Sequence, residues 1–445
     1  MASFRRIRPA HLIALVLIVP PIYKIGERFW PAPSPVKVDA RAVAAGSELF
    51  HHQWKINDPL SSGDGLGPIF NARSCVECHF QGGPGGGGPV ENNVTIYGAS
   101  PSLLPKDKSI PPLGVIHSHA TRPDFQERLN LVLPGLPGTP SIELERLVDP
   151  NFRCTIPSGV LITQRNTPAL FGDGLLDAIS EDLLYAEQRR NSSLARIAGL
   201  SRAKDPSVRG RVVRMADGRV GRFGWKAEFA SLDDFVRAAC ANELGLSNPS
   251  RKQATSLAKP EYQAQGIDLS EAQCSLMTDY LRDLPAPVQV LPSSAGAIKQ
   301  VQEGSATFSA IGCADCHTPD LGTMKGFYSN LLIHEMGSDL ASSNGYNGDP
   351  PSTPGFDDEE GVPPSDTEWR TPPLWGVADS APYLHDGRAK TLDEAIVLHG
   401  GEALNVVERY KKLPSSEQRS LIAFLETFRA PSAISNVPAL ATSAH

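Results

Sequence analysis

The chain has 445 residues, with 42 Lys and Arg against 49 Asp and Glu and a formal net charge of -7. No Lys/Arg-rich run follows the first few residues, so there is no basic stripe for nucleic acid. The length predicts two or three domains, and 39 Gly with 39 Pro predict long irregular connections around modest helices.

At the start, Arg5, Arg6 and Arg8 precede an apolar run from Leu12 to Tyr23 that Pro20 and Pro21 interrupt. The run is shorter than the ~20 residues a membrane span needs, and the pattern predicts a secretory signal. Residues 1–43 are therefore expected to be signal or anchor and linker. Periplasmic placement is the expectation, with an inner-membrane tether left open.

Gly46-Ser47-x-x-Phe50 then precedes Cys75-x-x-Cys78-His79. In a Cys-x-x-Cys-His string the two thiols add to haem vinyl groups and the adjoining imidazole becomes the proximal iron ligand. The string recurs as Cys313, Cys316 and His317. A zinc ribbon would place its Cys pairs roughly 15 to 20 residues apart, and a thioredoxin-like pair would need a βαβ context. Two covalently bound haem c groups are the prediction, attached through Cys75, Cys78, Cys313 and Cys316 with His79 and His317 on iron.

The Gly-rich run from Gly82 to Pro89 predicts a flexible loop passing close to a haem edge. His117 and His119 follow as candidate sixth ligands of the first haem. Glu181 is the candidate distal acid/base, with Asp177 as its rival, because Asp173-Gly174 precedes Glu181 as Asp386-Gly387 precedes Glu394. Cys154, Cys240 and Cys274 lie outside the haem strings. A Cys240–Cys274 disulfide is expected, the alternative being three small buried apolar residues.

The chain repeats its markers in order. Gly304-Ser305-x-x-Phe308 precedes the second string, and RTPPLWG from Arg370 matches RNTPALFG from Arg165. Each copy closes on an amphipathic helix opened by a capping box, Ser270-x-x-Gln273 or Ser415-x-x-Gln418. The expected fold is mainly α: two tandem cytochrome c-like haem domains with long irregular loops, the first enlarged by insertions. Residues 44–287 form the first, 293–431 the second and 432–445 a disordered tail.

In the second copy, Thr391-x-x-Glu394 caps a helix whose apolar face ends on His399, the expected sixth ligand of the second haem. His334 and Met336 are its rivals, and Met would raise the potential. The acidic stretch from Gly348 to Trp369, with Asp357, Asp358, Glu359 and Glu360, reads as a solvated loop, calcium being the alternative.

The segments GLGPIFNARSCVECH, QRNTPALFGDGLLDAI, FGWKAEF, ACANELGL, LLIHEMG, WRTPPLWGV and YLHDGRAKTLDEAIVLHGGEA resemble the bacterial di-haem cytochrome c peroxidase superfamily. The resemblance is greatest to its di-haem oxidoreductase branch, also labelled thiol oxidoreductases, and runs from about Gly46 to Pro431. It implies a catalytic first haem and an electron-relaying second haem, with a distal ligand fourteen residues beyond the His of the HDG motif. That position, counted from His385, is His399 where the superfamily's peroxidases carry Met, which implies a lower-potential bis-His centre. The resemblance also implies an aromatic relay between the haems, for which Trp54, Trp225 and Trp375 are candidates, and a structural role for His334.

The expected function is reduction of hydrogen peroxide to water with electrons from a small periplasmic cytochrome c or cupredoxin. An oxidase or dioxygenase acting on a protein or organic substrate is the alternative enzyme. A di-haem electron carrier is the non-enzymatic one.

Overall fold

Each Cys-x-x-Cys-His string follows a helix, and a later helix packs along that one. The computed structural model describes residues 36–99, 112–125 and 160–431, apart from 192–194, 196, 198, 200, 202, 257, 258, 260, 261, 343–345 and 347–362. Its helices are α1 (Ala40–His51), α2 (Cys75–Cys78), α3 (Asp173–Asp177), α4 (Glu181–Arg190), α5 (Leu232–Glu243), α6 (Glu271–Asp283), α7 (Ala295–Ile311), α8 (Leu392–Val397), α9 (Leu404–Lys411) and α10 (Ser415–Leu425).

Side chains close the helix starts. Ser180, Ser231 and Ser294 accept from the backbone N–H three residues on, and Ser270 and Thr391 form complete capping boxes with Gln273 and Glu394. The box expected at Ser415 does not form. Pro414 occupies the N-cap, so Ser415 is already helical and Gln418 instead donates to the Tyr410 carbonyl at 3.1 Å.

The repeated Gly-Ser-x-x-Phe is a helix-crossing device. A Cβ on Gly46 of α1 would lie 2.0 Å from the Leu276 carbonyl oxygen of α6, and one on Gly304 of α7 would lie 1.9 Å from that of Ser420 on α10. Only glycine lets these backbones approach so closely. Phe50 and Phe308 are then buried in two separate cores, each ring stabilising by roughly 1.5–3 kcal/mol. The first core also takes in Leu321, Phe327, Leu331 and Leu332, which the sequence assigns to the second domain.

Sheets are small and antiparallel. β1 (Val94–Ala99) lies between β2 (Leu113–Ile116) and β3 (Val160–Arg165), with Tyr97 opposite Gly114 and Ile162. β4 (Ile333–Glu335) pairs β5 (Glu368–Arg370), placing Trp369 opposite His334. Residues 288–289, just after α6, pair residues 428–429, so Phe428 is extended beyond the end of α10.

Lys226 ties the two halves of the chain together. Its buried Nζ donates to the carbonyls of Ser365, Asp366 and Glu368 at 2.7–2.9 Å and sits 4.1 Å from the Trp369 ring centroid.

Cys240 and Cys274 are free thiols rather than a disulfide. Both are buried in the first core on packed helices, where they serve as small apolar side chains. The signal segment, Cys154, most of the acidic stretch and the tail lie outside the described residues. Among the described residues, no helix is long and apolar enough to cross a membrane and no cluster of three or more His, Cys, Asp or Glu forms a metal site.

Candidate functional site

Two cavities hold the chemistry, one in front of each string. That of His79 has a volume of about 120 Å³ and that of His317 about 310 Å³.

His79 follows the single turn of α2. Its Nδ1 donates to the carbonyls of Gly86 and Pro168, both at 3.1 Å, which leaves Nε2 as the ring nitrogen available to a metal. The Gly-rich run supplies one of these acceptors and is tightly folded rather than a flexible loop. Phe80 and Gln81 both donate to the Gly87 carbonyl, and a Cβ on Gly86 would lie 1.7 Å from the Gln81 oxygen. Burial pushes the His79 pKa down to about 4, so the imidazole is neutral and ligand-competent. Burial also pushes the Cys75 and Cys78 thiols up to about 12.

The face of α5 that lines this cavity carries Val236, Ala239, Cys240 and Glu243, at i, i+3, i+4 and i+7. Burial raises the Glu243 carboxyl to about 7. Asn71 Nδ2 donates to Glu243 Oε2 at 2.8 Å, while the buried Oε1 has no hydrogen-bond partner among the described residues. Arg165 and Glu228 line the same space.

Glu181 and Asp177 do not line either cavity. Glu181 accepts from Val220 N at 3.0 Å, while Asp177 accepts from Leu232 N at 2.9 Å and pairs with Arg282 at 3.2 Å. Both are helix-end carboxylates turned to the protein's framework. The carboxylates in front of His79 that sequence reasoning missed are Glu228 and, at the end of α5, Glu243. The signal for Glu243 was present: it ends an apolar helical face, as His399 does.

His117 and His119 are also displaced from the expected ligand role, since neither lines the His79 cavity. His117 is buried behind the end of α5, where Nε2 donates to the Asn242 carbonyl at 2.6 Å. His119 is exposed in a strand pairing with Phe70.

In the second cavity His317 and His399 face one another, ring centroids 6.5 Å apart and planes at 65°. Two imidazoles on opposite sides of one metal ion, with N–metal bonds of ~2 Å, need a centroid spacing of ~6 Å. His317 Nδ1 donates to the Tyr328 carbonyl at 3.2 Å and His399 Nδ1 to that of Ala395 at 2.6 Å, so both Nε2 atoms remain. Burial pushes His317 down to about 3 and lowers His399 as well. Met336 also lines this cavity. His334 lines it too, with Nδ1 against Glu402 at 2.7 Å and Cys316 Sγ at 3.6 Å and Nε2 against Asn330 at 3.1 Å.

The duplicated Arg-Thr-Pro segments occupy matching places. Pro168 and Pro372 both offer their carbonyls to the proximal imidazoles, while Arg165 lines the first cavity and Arg370 the second. Arg370 Nε donates to the Gly224 carbonyl at 2.8 Å, but its buried Nη1 has no hydrogen-bond partner among the described residues. An orphaned guanidinium nitrogen suits an anionic group such as a haem carboxylate. Paired thiols, a pinned imidazole, apolar walls and an arginine in each cavity together fit a haem.

Of the three candidate aromatics, Trp225 lines both cavities and donates to the Asn166 carbonyl at 2.9 Å. Trp375 lines the second only, and Trp54 is a core residue at neither.

The chain is similar to several known proteins. A segment of the chain is 31% identical over 151 residues to cytochrome-c peroxidase IdrP1 of Denitromonas iodatirespirans, covering 28% of this chain and 39% of that protein. Another is 31% identical over 159 residues to methylamine utilization protein MauG of Methylorubrum extorquens strain AM1, covering 33% and 39%. The chain thus spans about two fifths of the length of these relatives. The diheme peroxidase BthA from Burkholderia thailandensis is 14% identical over 89% of this chain and 90% of its own, with a TM-score of 0.39. The family model described as "Di-haem oxidoreductase, putative peroxidase" matches residues 153–428, more than half of the chain, and the protein belongs to that di-haem family.

Proposed function

We propose that the protein is an exported, periplasmic c-type di-haem oxidoreductase that reduces hydrogen peroxide to water with electrons from a small cytochrome c or cupredoxin. The observation that carries this reading is the asymmetry of the two cavities: His317 faces His399, whereas His79 faces a space with the carboxyls of Glu228 and Glu243 and, among its described lining residues, no second imidazole.

Cys75, Cys78 and His79 would hold one haem, and Cys313, Cys316, His317 and His399 the other. Iron held by these residues would supply the two-electron redox chemistry that peroxide reduction requires. The protein's own residues do the rest. Glu243, ionised above its pKa of about 7, takes the proton from the entering peroxide and returns it to the leaving oxygen. Asn71 holds that carboxyl in place from Oε2. Apolar Val236 and Ala239 on the same helix face exclude water from around it. Trp225, set between the cavities, offers the route for electrons from the second centre to the first.

A second reading is an oxidase acting on a protein or organic substrate, favoured by the His317–His399 pairing, because two imidazoles give a lower potential than His with Met. Stopped-flow mixing of the reduced holoprotein with peroxide separates the two. Stoichiometric oxidation of both centres with water as product and return to the resting state by a redox-protein donor supports the peroxidase; a peroxide-oxidised state that persists until an organic or protein substrate reduces it supports the oxidase.

A further inference from the structure

A second indole besides Trp225 stands close to both cavities. Trp369, on β5, lines the His317 cavity and is buried, and its Nε1 donates to the Leu340 carbonyl at 2.9 Å. His385 stacks on it, centroids 3.7 Å apart at 15°. Two cations also approach the ring: Lys226 Nζ lies 4.1 Å and the Arg165 guanidinium carbon 4.7 Å from its centroid. Arg165 lines the His79 cavity, so a single side chain separates Trp369 from that site. Trp225 lines both cavities, yet among the described residues no cation lies over its ring.

The geometry requires Lys226 to be charged. Its Nζ donates to the carbonyls of Ser365, Asp366 and Glu368 at 2.7–2.9 Å, and only an ammonium has three N–H groups to give. Of the three carboxyls around it, Asp366 is exposed, Glu368 is paired with Arg211 at 2.8 Å, and burial raises Glu228 toward its neutral form. We propose that Lys226, with Arg165, holds Trp369 in its reduced form, so that electrons drawn through the protein toward the His79 site pass by way of Trp225 instead. This rests on the reading of that site as the one that meets peroxide. An indole that gives up one electron becomes a cation, and the N–H partner of Trp369, a backbone carbonyl, is too weak a base to remove the proton. The oxidised ring would then face two fixed positive groups, and the attraction of a cation for a neutral ring turns into repulsion. Trp225, also bonded through Nε1 to a carbonyl, meets no such opposition.

The test is Lys226→Gln in the holoprotein, which removes the charge and keeps a donor, beside Lys226→Arg, which keeps the charge. Each is mixed with excess peroxide and no electron donor at about pH 6, below the value of about 7 to which burial lowers the Lys226 ammonium. Mass spectrometry of the peptides carrying Trp225 and Trp369 then reads added oxygen. In that product the indole has lost two electrons and gained one oxygen atom, while peroxide has been reduced to water. N-bromosuccinimide, which attacks accessible indoles, reports whether Trp369 has become exposed. The proposal expects Trp369 to be spared relative to Trp225 in the parent and in Lys226→Arg. In Lys226→Gln it expects Trp369 to be modified about tenfold or more above the parent, with reactivity toward N-bromosuccinimide unchanged. Trp369 modified in the parent as fast as Trp225, or still spared in Lys226→Gln, overturns the proposal. So does a gain that comes with N-bromosuccinimide reactivity, because exposure then explains it. Peroxide left unconsumed by the parent overturns the peroxide reading and this proposal together. If Lys226→Gln does not fold, Arg165→Gln, which removes the other cation from the ring, must raise Trp369 modification likewise or the proposal falls.

Discussion

His317 and His399 present their rings to each other 6.5 Å apart, each with Nδ1 given to a backbone carbonyl. Replacing His399 by Ala opens that centre, and electron paramagnetic resonance of the oxidised holoprotein is expected to show its low-spin signal replaced by a high-spin one. His399→Met is expected to keep the low-spin state and raise the reduction potential by roughly 100 mV or more, within the ~0.8 V range that axial ligands command.

Glu243→Gln should lower kcat/KM for peroxide by about 10²–10⁴-fold, the usual contribution of a positioned acid/base. In the parent protein the carboxyl must be ionised to accept a proton, so activity falls as pH drops below about 7, where burial has set its pKa. The glutamine variant loses that limb. Glu181→Gln, which touches neither cavity, should leave both the rate and the pH profile near the parent's.

Trp225→Phe is expected to slow electron transfer from the second centre to the first, by an order of magnitude or more, with covalent haem content unchanged. Flash-reduction of the holoprotein followed at the two centres measures this directly. Trp54→Phe, remote from both cavities, is the control that leaves the transfer rate alone.

Gly304→Ala drives a methyl group into the Ser420 carbonyl of α10 and should destabilise by roughly 1–3 kcal/mol, as overpacking does. On the same helix a Cβ at Gly296 meets nothing within 4 Å. Gly296→Ala is therefore expected to stabilise by about 0.5–1 kcal/mol, through helix propensity alone. Thermal unfolding of the two variants reports opposite signs if the crossing explains the repeated glycine.

The features legible in the sequence are those whose spacing is dictated locally. A haem-attachment string reads as such because its thiols and imidazole are adjacent, and Thr391 with Glu394 caps a helix because the box is a four-residue device. His399 could be singled out because the apolar face of α8 runs toward it. Repeat position matches Glu181 with Glu394, and both are helix-start carboxylates that line neither cavity. Glu394 accepts from Thr391 N, and Glu181 sits in the first turn of α4. Cys240 and Cys274 share packed helices, yet spacing on two helices does not tell whether two side chains meet or merely fill one core. Tyr346, which lines the His79 cavity, was out of reach for a different reason: nothing local announces that a residue of one half enters the cavity of the other.

The account turns on two unlike haem centres, one with an open position beside Glu243 and one closed by His317 and His399. A pyridine haemochrome assay with low-temperature electron paramagnetic resonance of the oxidised protein, before and after cyanide, tests this most directly. The account predicts two covalent haems per chain, one high-spin and one low-spin, with cyanide altering the high-spin signal alone. Two low-spin signals indifferent to cyanide and peroxide, or fewer than two covalent haems, would contradict it.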